Sequence, residues 1–371
     1  MSSRRIRVVV VDDSILMRRM ISDYISDAPD MEVVATASDG HKAIDVCRKH
    51  TPDVVTLDIQ MPGMDGLATL DALLEQRPVP VIMVSALTQA GANVTLDALE
   101  RGALDYVAKP DRGSSVEKAL GSDLIRKIRS VAGSDVQRVL RIRCDRKQRR
   151  AKKHTAEAVP TSVVEAGAVG LSDKCIAIGI STGGPPALAS LFETLSPPMP
   201  PIVVVQHMPA SFTGPLGNRL NGLSKLTIKE AVTGDVLRPN HVFIANGSVH
   251  MELRGRGKFV KTYLRDGEPV SGHKPSADVL MKSVAEIYGS NCMGIIMTGM
   301  GRDGSDGCGN IRRRGGFVLG QDEATSDVYG MNKVAFVEGN VDRQFSLNEA
   351  ATIINRQVAR LWCRSRQTVS V

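Results

Sequence analysis

Short runs rich in Val and Ile, each followed by a stretch of helical length, recur through residues 6–108 and again from 175 onward. This alternation is the strongest constraint on the fold. Strands that are apolar nearly throughout are buried on both faces, as parallel strands are. Parallel neighbours need a crossover, and a helix supplies it. The chain therefore reads as α/β. Open sheets of this kind bind ligands at the carboxyl ends of their strands, so functional residues are expected there.

The first strands are expected at Ile6–Asp13, Met31–Ser38, Asp53–Ile59, Val79–Ala86 and Asp105–Ala108. Ile15, Leu16, Met20, Ile21, Tyr24 and Ile25 are expected to share one helix face. The second series comprises Cys175–Ile180, Ile202–Gln206, Met293–Thr298, Phe317–Gln321 and Val334–Val337, with a hairpin over His250–Arg265. Helices are expected over Pro185–Leu195, Ser276–Tyr288 and Leu347–Trp362, the last started by a capping box of Ser346 and Glu349. The implied domains are 1–125 and 171–364, with a basic and flexible linker at 126–170 and a tail at 365–371.

Residues 126–153 hold twelve Lys or Arg against two Asp, a local net of +10, which leaves the rest of the chain at −3 within a total of +7. The basicity thus belongs to one segment and not to a folded surface for specific nucleic-acid binding. A solvated tether is the plain reading of it, and contact with anionic lipid or nucleic acid the sharper one. No apolar run reaches the roughly 18 residues of a membrane span. The first residues lack an apolar leader segment, so a cytoplasmic protein without membrane insertion is expected, by default a monomer. The six cysteines form no CxxC pair, which argues against a zinc or dithiol site.

Asp12 and Asp13 end the first strand, Asp58 the third, Ser85 the fourth, and Lys109 the fifth. In a parallel sheet these ends converge. Clustered carboxylates either share protons or bind a hard cation. Mg²⁺ suits oxygen donors and keeps waters for a phosphate group, which Lys109 and Ser85 could grip. Taken singly, an Asp after a strand can be a helix cap, and Lys-Pro a turn. The stretches Val-Val-Asp-Asp-Ser (10–14), Leu-Asp-Ile-Gln-Met-Pro-Gly-Met-Asp-Gly (57–66), Val-Ser-Ala (84–86) and Gly-Ala-Leu-Asp-Tyr-Val-Ala-Lys-Pro (102–110) resemble the two-component receiver domain. The resemblance implies a flavodoxin-like fold with a five-stranded parallel sheet. It implies phosphorylation at Asp58, and Mg²⁺ held by Asp13, Asp58 and the Gln60 carbonyl, with Asp12 helping through water. Ser85 and Tyr106 would be switch residues, beside Lys109.

In the second half, a strand runs into Ser181-Thr182-Gly183-Gly184-Pro185-Pro186 and then a helix. A serine there can be an exposed nucleophile beside a helix N-terminus, or simply a helix cap. This turn carries neither G-x-G-x-x-G nor a P-loop Lys, which disfavours a nucleotide loop there. His207 follows a second strand and Asp303 lies in a glycine-rich loop after a third. A structural histidine and a turn aspartate are the ordinary readings. Together with Ser181 they offer nucleophile, base and orienter. Ile178–Gly184, Val204–Pro209, Lys274–Leu280, Thr298–Gly304 and Gln321–Ser326 resemble the CheB methylesterase domain, over roughly 173–362. The resemblance implies a doubly wound, mainly parallel α/β domain. It assigns Ser181, His207 and Asp303 to catalysis and the Met300 N–H to the oxyanion hole, with no cofactor for ester hydrolysis.

The implied activity is demethylation of γ-glutamyl methyl esters on methyl-accepting chemotaxis receptors, with deamidation of receptor glutamines. The implied phosphodonor is a chemotaxis histidine kinase. Ile180 and Asn332 depart from the family's usual Ala and Pro, and the linker is unusually basic. Two other readings of the second domain are a DNA- or protein-binding effector, against which its glycine-rich strand ends argue, and a paralogue acting outside chemotaxis.

Overall fold

Both expected parallel sheets are present in the computed structural model, which describes residues 4–86, 88–109, 116–153 and 170–362. The chain divides into two units, Met1–Gln148 and Arg149–Val371. Residues 154–169, Cys363 and the 365–371 tail lie outside the described residues.

The first unit has strands β1 (Ile6–Val11), β2 (Met31–Ala37), β3 (Val54–Asp58), β4 (Val81–Ser85) and β5 (Asp105–Ala108). Their order is β2-β1-β3-β4-β5, all parallel. The order reverses between β1 and β3, and the ends of those strands open a crevice there. Helices α1 (Ile15–Ser26), α2 (Gly40–His50), α3 (Gly66–Gln76) and α4 (Gln89–Arg101) begin at Ser14, Asp39, Asp65 and Thr88, whose side chains accept from the first-turn N–H groups. These caps set where each strand-end loop stops. On α1 only part of the expected face is buried. Ile21 and Ile25 are covered, whereas Ile15 and Leu16 are 76% and 73% exposed. The reason is the 100° step per residue, which turns the first turn away from the stripe that Ile21 and Ile25 define.

Helix α5 (Val116–Val131) buries Leu124, Ile128 and Val131. Helix α6 (Val136–Lys153) follows, and its first turns pack on the same unit. Val136 and Val139 are buried, and Arg143 Nη1 donates to the carbonyls of Leu99 and Ala103.

The second unit is built on a seven-stranded parallel sheet in the order β14-β13-β12-β6-β7-β9-β8. Its elements are β6 (Cys175–Ile180), α7 (Gly184–Thr194), β7 (Ile202–Gln206), α8 (Ala210–Leu223), β8 (Thr227–Glu230), β9 (His241–Ile244), the antiparallel pair β10 (His250–Arg254) and β11 (Lys261–Arg265), α9 (Ala277–Tyr288), β12 (Cys292–Ile296), α10 (Ser305–Arg313), β13 (Phe317–Gln321), α11 (Met331–Val337), β14 (Arg343–Phe345) and α12 (Ala350–Trp362). The β6 strand lies between β7 and β12, so the chain returns to the middle of the sheet after the hairpin. That return brings the ends of β6, β7 and β12 together. Phe192 and Phe212 are fully buried, each burial worth about 1.5–3 kcal/mol.

Two expected elements differ. The strand expected at Val334–Val337 is instead the end of α11. Val334 N donates to Gly330 O, and Met331 and Ala335, four apart, are buried while Phe336 and Val337 face out. A short apolar run fits either state, and helical spacing decides here. The capping box at Ser346 is not formed. A 3₁₀ turn at Leu347–Glu349 precedes α12, and Glu349 N donates to the Ser346 backbone carbonyl. Strands β8, β9 and β14 and helices α8 and α10 were not anticipated. Helix α10 contains Gly307 and Gly309 but packs closely on α9. A Cβ at Gly307 would lie 2.7 Å from Met281 Cβ, so glycine is what permits the approach.

Candidate active site

Ser181 leaves β6 into a turn held from three sides. Its N–H donates to Thr298 O at 3.0 Å. Its carbonyl accepts from Gly184 N at 2.8 Å and from Gln206 Nε2 at 3.0 Å. Gly183 has φ +76° and meets Asp327 where a side chain would stand, and a Cβ on Gly184 would lie 1.9 Å from Gln206 Oε1. Both glycines are therefore required by neighbours. So is Gly299, whose Cβ would fall 2.6 Å from Ser181 Cβ.

The β6–β7 register pairs Ile180 with Gln206 and places Ser181 and His207 next in line, at adjoining strand ends. His207 N donates to Ile180 O at 3.1 Å. The imidazole Nε2 and Asp303 Oδ2 are 2.7 Å apart, with side chains only 6% and 0% exposed. Asp303 accepts at both oxygens. Ser276 Oγ donates to Oδ1 at 2.6 Å, and Ala277 N to Oδ2 at 2.6 Å. Asp278 N adds a longer bond to Oδ1, at 3.2 Å. The carboxylate thus sits on the N-terminus of α9, where orphan N–H groups and the helix dipole favour an anion. Burial pushes its pKa up, but the His207, Ser276 and Ala277 bonds outweigh that and hold it at about 2.

If Nε2 carries the proton toward Asp303, a neutral ring has its lone pair on Nδ1. That atom is buried and has no hydrogen-bond partner among the described residues. The Ser181 hydroxyl likewise makes no hydrogen bond among them. The imidazole–carboxylate contact is therefore formed, and the hydroxyl–imidazole contact is open. The Met300 N–H is also unengaged among the described residues. It follows Gly299, whose own N–H and carbonyl are taken by Val328 O and Met331 N.

Sequence reasoning missed several residues around this cluster. Ser276 and Asp278 lie in the segment 274–280 but carried no assigned role. Asp278 Oδ1 accepts from Gly304 N at 2.9 Å and Gly307 N at 2.7 Å, and so shapes the loop after Asp303. Burial and the nearby Asp303 charge raise its pKa to about 6. The ring of His273 stacks on His207. Asn332, at one of the departures from the family pattern, is buried and donates to Gln321 O and Ser326 Oγ, both at 2.8 Å. Only segment membership signalled Ser276 and Asp278; their contacts arise from the fold.

The first unit has a different cluster. Lys109 Nζ lies 2.9 Å from Asp12 Oδ2 and 2.8 Å from Asp58 Oδ2. Ligand atoms of Asp12, Asp13 and Asp58 all lie within 4.8 Å of one another. Three carboxylates face one ammonium here, and hard oxygen donors with surplus negative charge fit Mg²⁺. Asp58 and Lys109 both have raised pKa values. For Asp58 burial is the main cause; for Lys109 burial opposes, and the hydrogen bonds to Asp58 and Asp12 prevail. Gln60 N donates to Asp58 Oδ1 at 3.3 Å, which puts that residue at the same rim. Ser85 is turned toward α4. Its hydroxyl accepts from Thr95 Oγ1 at 2.8 Å. Tyr106 is buried beneath Lys127, whose Nζ is 4.7 Å from the ring centroid.

Four of the five cysteines among the described residues are buried, and burial pushes the thiols of Cys47 and Cys292 up to about 12, so they are poor nucleophiles. Cys144 is exposed.

An acidic phosphate-type pocket on one doubly wound sheet and a Ser/His/Asp cluster on a second define a receiver joined to a hydrolase-type α/β domain. Residues 8–120 match the response regulator receiver domain, and residues 176–354 match the CheB methylesterase. A protein-glutamate methylesterase/protein-glutamine glutaminase of Pectobacterium atrosepticum is 41% identical over 356 residues, 96% of this chain and 97% of that one. One from Sulfurimonas denitrificans is 42% identical over 91% of this chain and 94% of its own length. The CheB methylesterase catalytic domain of Thermotoga maritima, a solved structure, is 37% identical, covers 50% of this chain and 98% of its own, and superposes with a TM-score of 0.49. This chain belongs to the CheB family of receiver-linked protein-glutamate methylesterases.

Proposed function

We propose that this protein is a phosphorylation-activated serine hydrolase that demethylates γ-glutamyl methyl esters on methyl-accepting chemotaxis receptors and deamidates receptor glutamines. The observation that carries the reading is the buried 2.7 Å contact between His207 and Asp303, with the Ser181 turn on the adjoining strand end.

Ser181 Oγ attacks the ester carbonyl carbon while His207 Nδ1 takes its proton. Asp303 fixes the ring's tautomer and balances its positive charge. The oxyanion formed points to the open N–H of Met300. Collapse breaks the C–O bond to methanol, and His207 returns the proton to the departing oxygen. Water then repeats the sequence on the acyl-enzyme and releases glutamate. An amide follows the same path and releases ammonia.

In the first unit, Asp58 receives the phosphoryl group. Asp12, Asp13, Asp58 and the Gln60 carbonyl would hold Mg²⁺, which when bound offsets charge between carboxylates and phosphate. Lys109 would grip a phosphoryl oxygen. Ser85 and Tyr106 are the switch positions, and a chemotaxis histidine kinase is the donor. Phosphorylation would act by shifting the population of active domain arrangements. Among the described residues no helix is long and apolar enough to cross a membrane. The substrate is then reached from the aqueous side, and the cytoplasm is the proposed location.

The test is methanol release from methyl-labelled receptor membranes, with and without a small phosphodonor. Release that rises with the donor supports both parts. No release under either condition rejects the enzymatic assignment.

A further inference from the structure

The rings of His273 and His207 lie face to face, with centroids 3.8 Å apart and planes only 7° from parallel. From this geometry we infer that His273 is a positioning residue for hydrolysis: it clamps the plane of the His207 imidazole so that Nδ1 stays aimed at the serine while Nε2 stays on Asp303. The inference rests on the function proposed above and extends it.

Among the described residues the His207 ring has a single hydrogen bond, at Nε2. The torsion that turns a histidine ring is soft and broad, so one in-line bond leaves rotation about that bond weakly restrained. A base must hold its lone pair along the proton's path, and small misalignments are costly. A flat neighbour on the open face supplies the missing restraint.

The clamp is itself anchored. Val270 and His273 exchange backbone bonds of 3.0 and 2.9 Å around a two-residue turn, Ser271-Gly272, with φ values of +53° and +78°. Paired left-handed residues make such turns tight. A serine there is strained, and its side chain is tied down: Ser271 Oγ donates to Asp278 Oδ2 at 3.0 Å. Asp278 also holds Gly304 and Gly307, so one carboxylate fixes both the loop beyond Asp303 and the turn that carries His273. On the other side, Lys274 Nζ pairs with Asp266 at 2.8 Å. A Cβ on Gly301 would stand 3.9 Å from His273 Nε2, which places the His273 ring near the Met300 loop as well.

The test uses the full chain and two variants, His273→Ala and His273→Phe, each checked for wild-type thermal unfolding. Methanol release from methyl-labelled receptor membranes gives kcat and KM; labelling of Ser181 by a fluorophosphonate reports the serine's reactivity without the receptor. His273→Ala is expected to lower kcat and the labelling rate by about 10- to 100-fold with KM within about two-fold, and His273→Phe, which keeps the flat surface, to recover to within about three-fold of wild type. Wild-type kcat in His273→Ala overturns the inference. So does a Phe variant as slow as the Ala variant, since the flat face would then not be what matters. A wild-type chain that neither releases methanol nor labels at Ser181 rejects the proposed function itself, an outcome distinct from either of these.

Discussion

The two clusters occupy corresponding places on two parallel sheets but solve opposite electrostatic problems. The first sits where the order of its sheet reverses, between β1 and β3, and carries more negative charge than its own lysine can balance. Asp13 is exposed and the Lys109 side chain is 21% exposed, so solvent and incoming groups reach it. The second sits around the end of β6, and its carboxylate is wholly buried and fully hydrogen-bonded. Surplus negative charge suits a divalent cation, whose own charge would then admit a phosphoryl group. A buried carboxylate whose oxygens are already taken by Ser276, Ala277 and His207 has no room for either. The difference shows that the strand-end position makes a site available, while the count of donors around the carboxylates sets its chemistry.

Substitutions in each cluster test this contrast. Ser181→Ala should remove ester hydrolysis by a factor of at least about 10⁴ while Asp58 still takes phosphate from a small donor. Methanol release and radiolabelled phosphorylation on the same preparation measure both. Retained turnover would mean that another nucleophile acts. Asp303→Asn should lower kcat by about 10³- to 10⁴-fold, because the ring loses its tautomer control. A loss confined to KM would contradict that role. In the other cluster, Asp58→Asn or chelation of divalent ions should erase donor-dependent stimulation and leave basal hydrolysis in place. Basal loss on chelation would point to a metal in the hydrolase centre.

The smallest effect concerns stability. Asp278 has a folded pKa near 6, above its ordinary 3.8, so it favours folding most below pH 3.8 and that contribution is lost as pH rises through about 6. Asp303, held at about 2, works in the opposite sense and loses its contribution only as pH falls from 3.8 through about 2. Between about pH 4 and 6 the pair's trend is therefore set by Asp278. Asp278→Asn, whose oxygen can still accept from Gly304 and Gly307, should remove a fall on the order of 1–3 kcal/mol across that window. Urea midpoints at pH 4.5 and 7 give the comparison. An unchanged difference between variant and parent would show that another group titrates there.

Much of this architecture was legible in the chain. Strands β5, β6, β7 and β13 begin and end at the residues the Val/Ile runs mark, because buried parallel strands leave an almost continuous apolar signature. The polar residues that close those runs, Asp12, Asp58, Ser181 and His207, stand at strand ends for the same local reason. The short strands β8 and β14 escaped because they carry Thr, Lys, Glu, Arg and Gln and sit at the sheet's edges, where burial leaves a weaker pattern. Helix α11 was misread because four apolar residues fit either period.

The two α/β halves and the residues that close each strand are written in the order of amino acids, since both follow from hydrophobic period and turn chemistry along a few neighbouring positions. Which of those residues meet is a matter of how the whole sheet is assembled. Asp303 reaches His207 because β12 returns beside β6, and the ring of His273 covers the same imidazole from a turn 66 positions away in the chain. Such contacts depend on strand order and loop path, which the packing of the whole sheet selects and no local segment encodes.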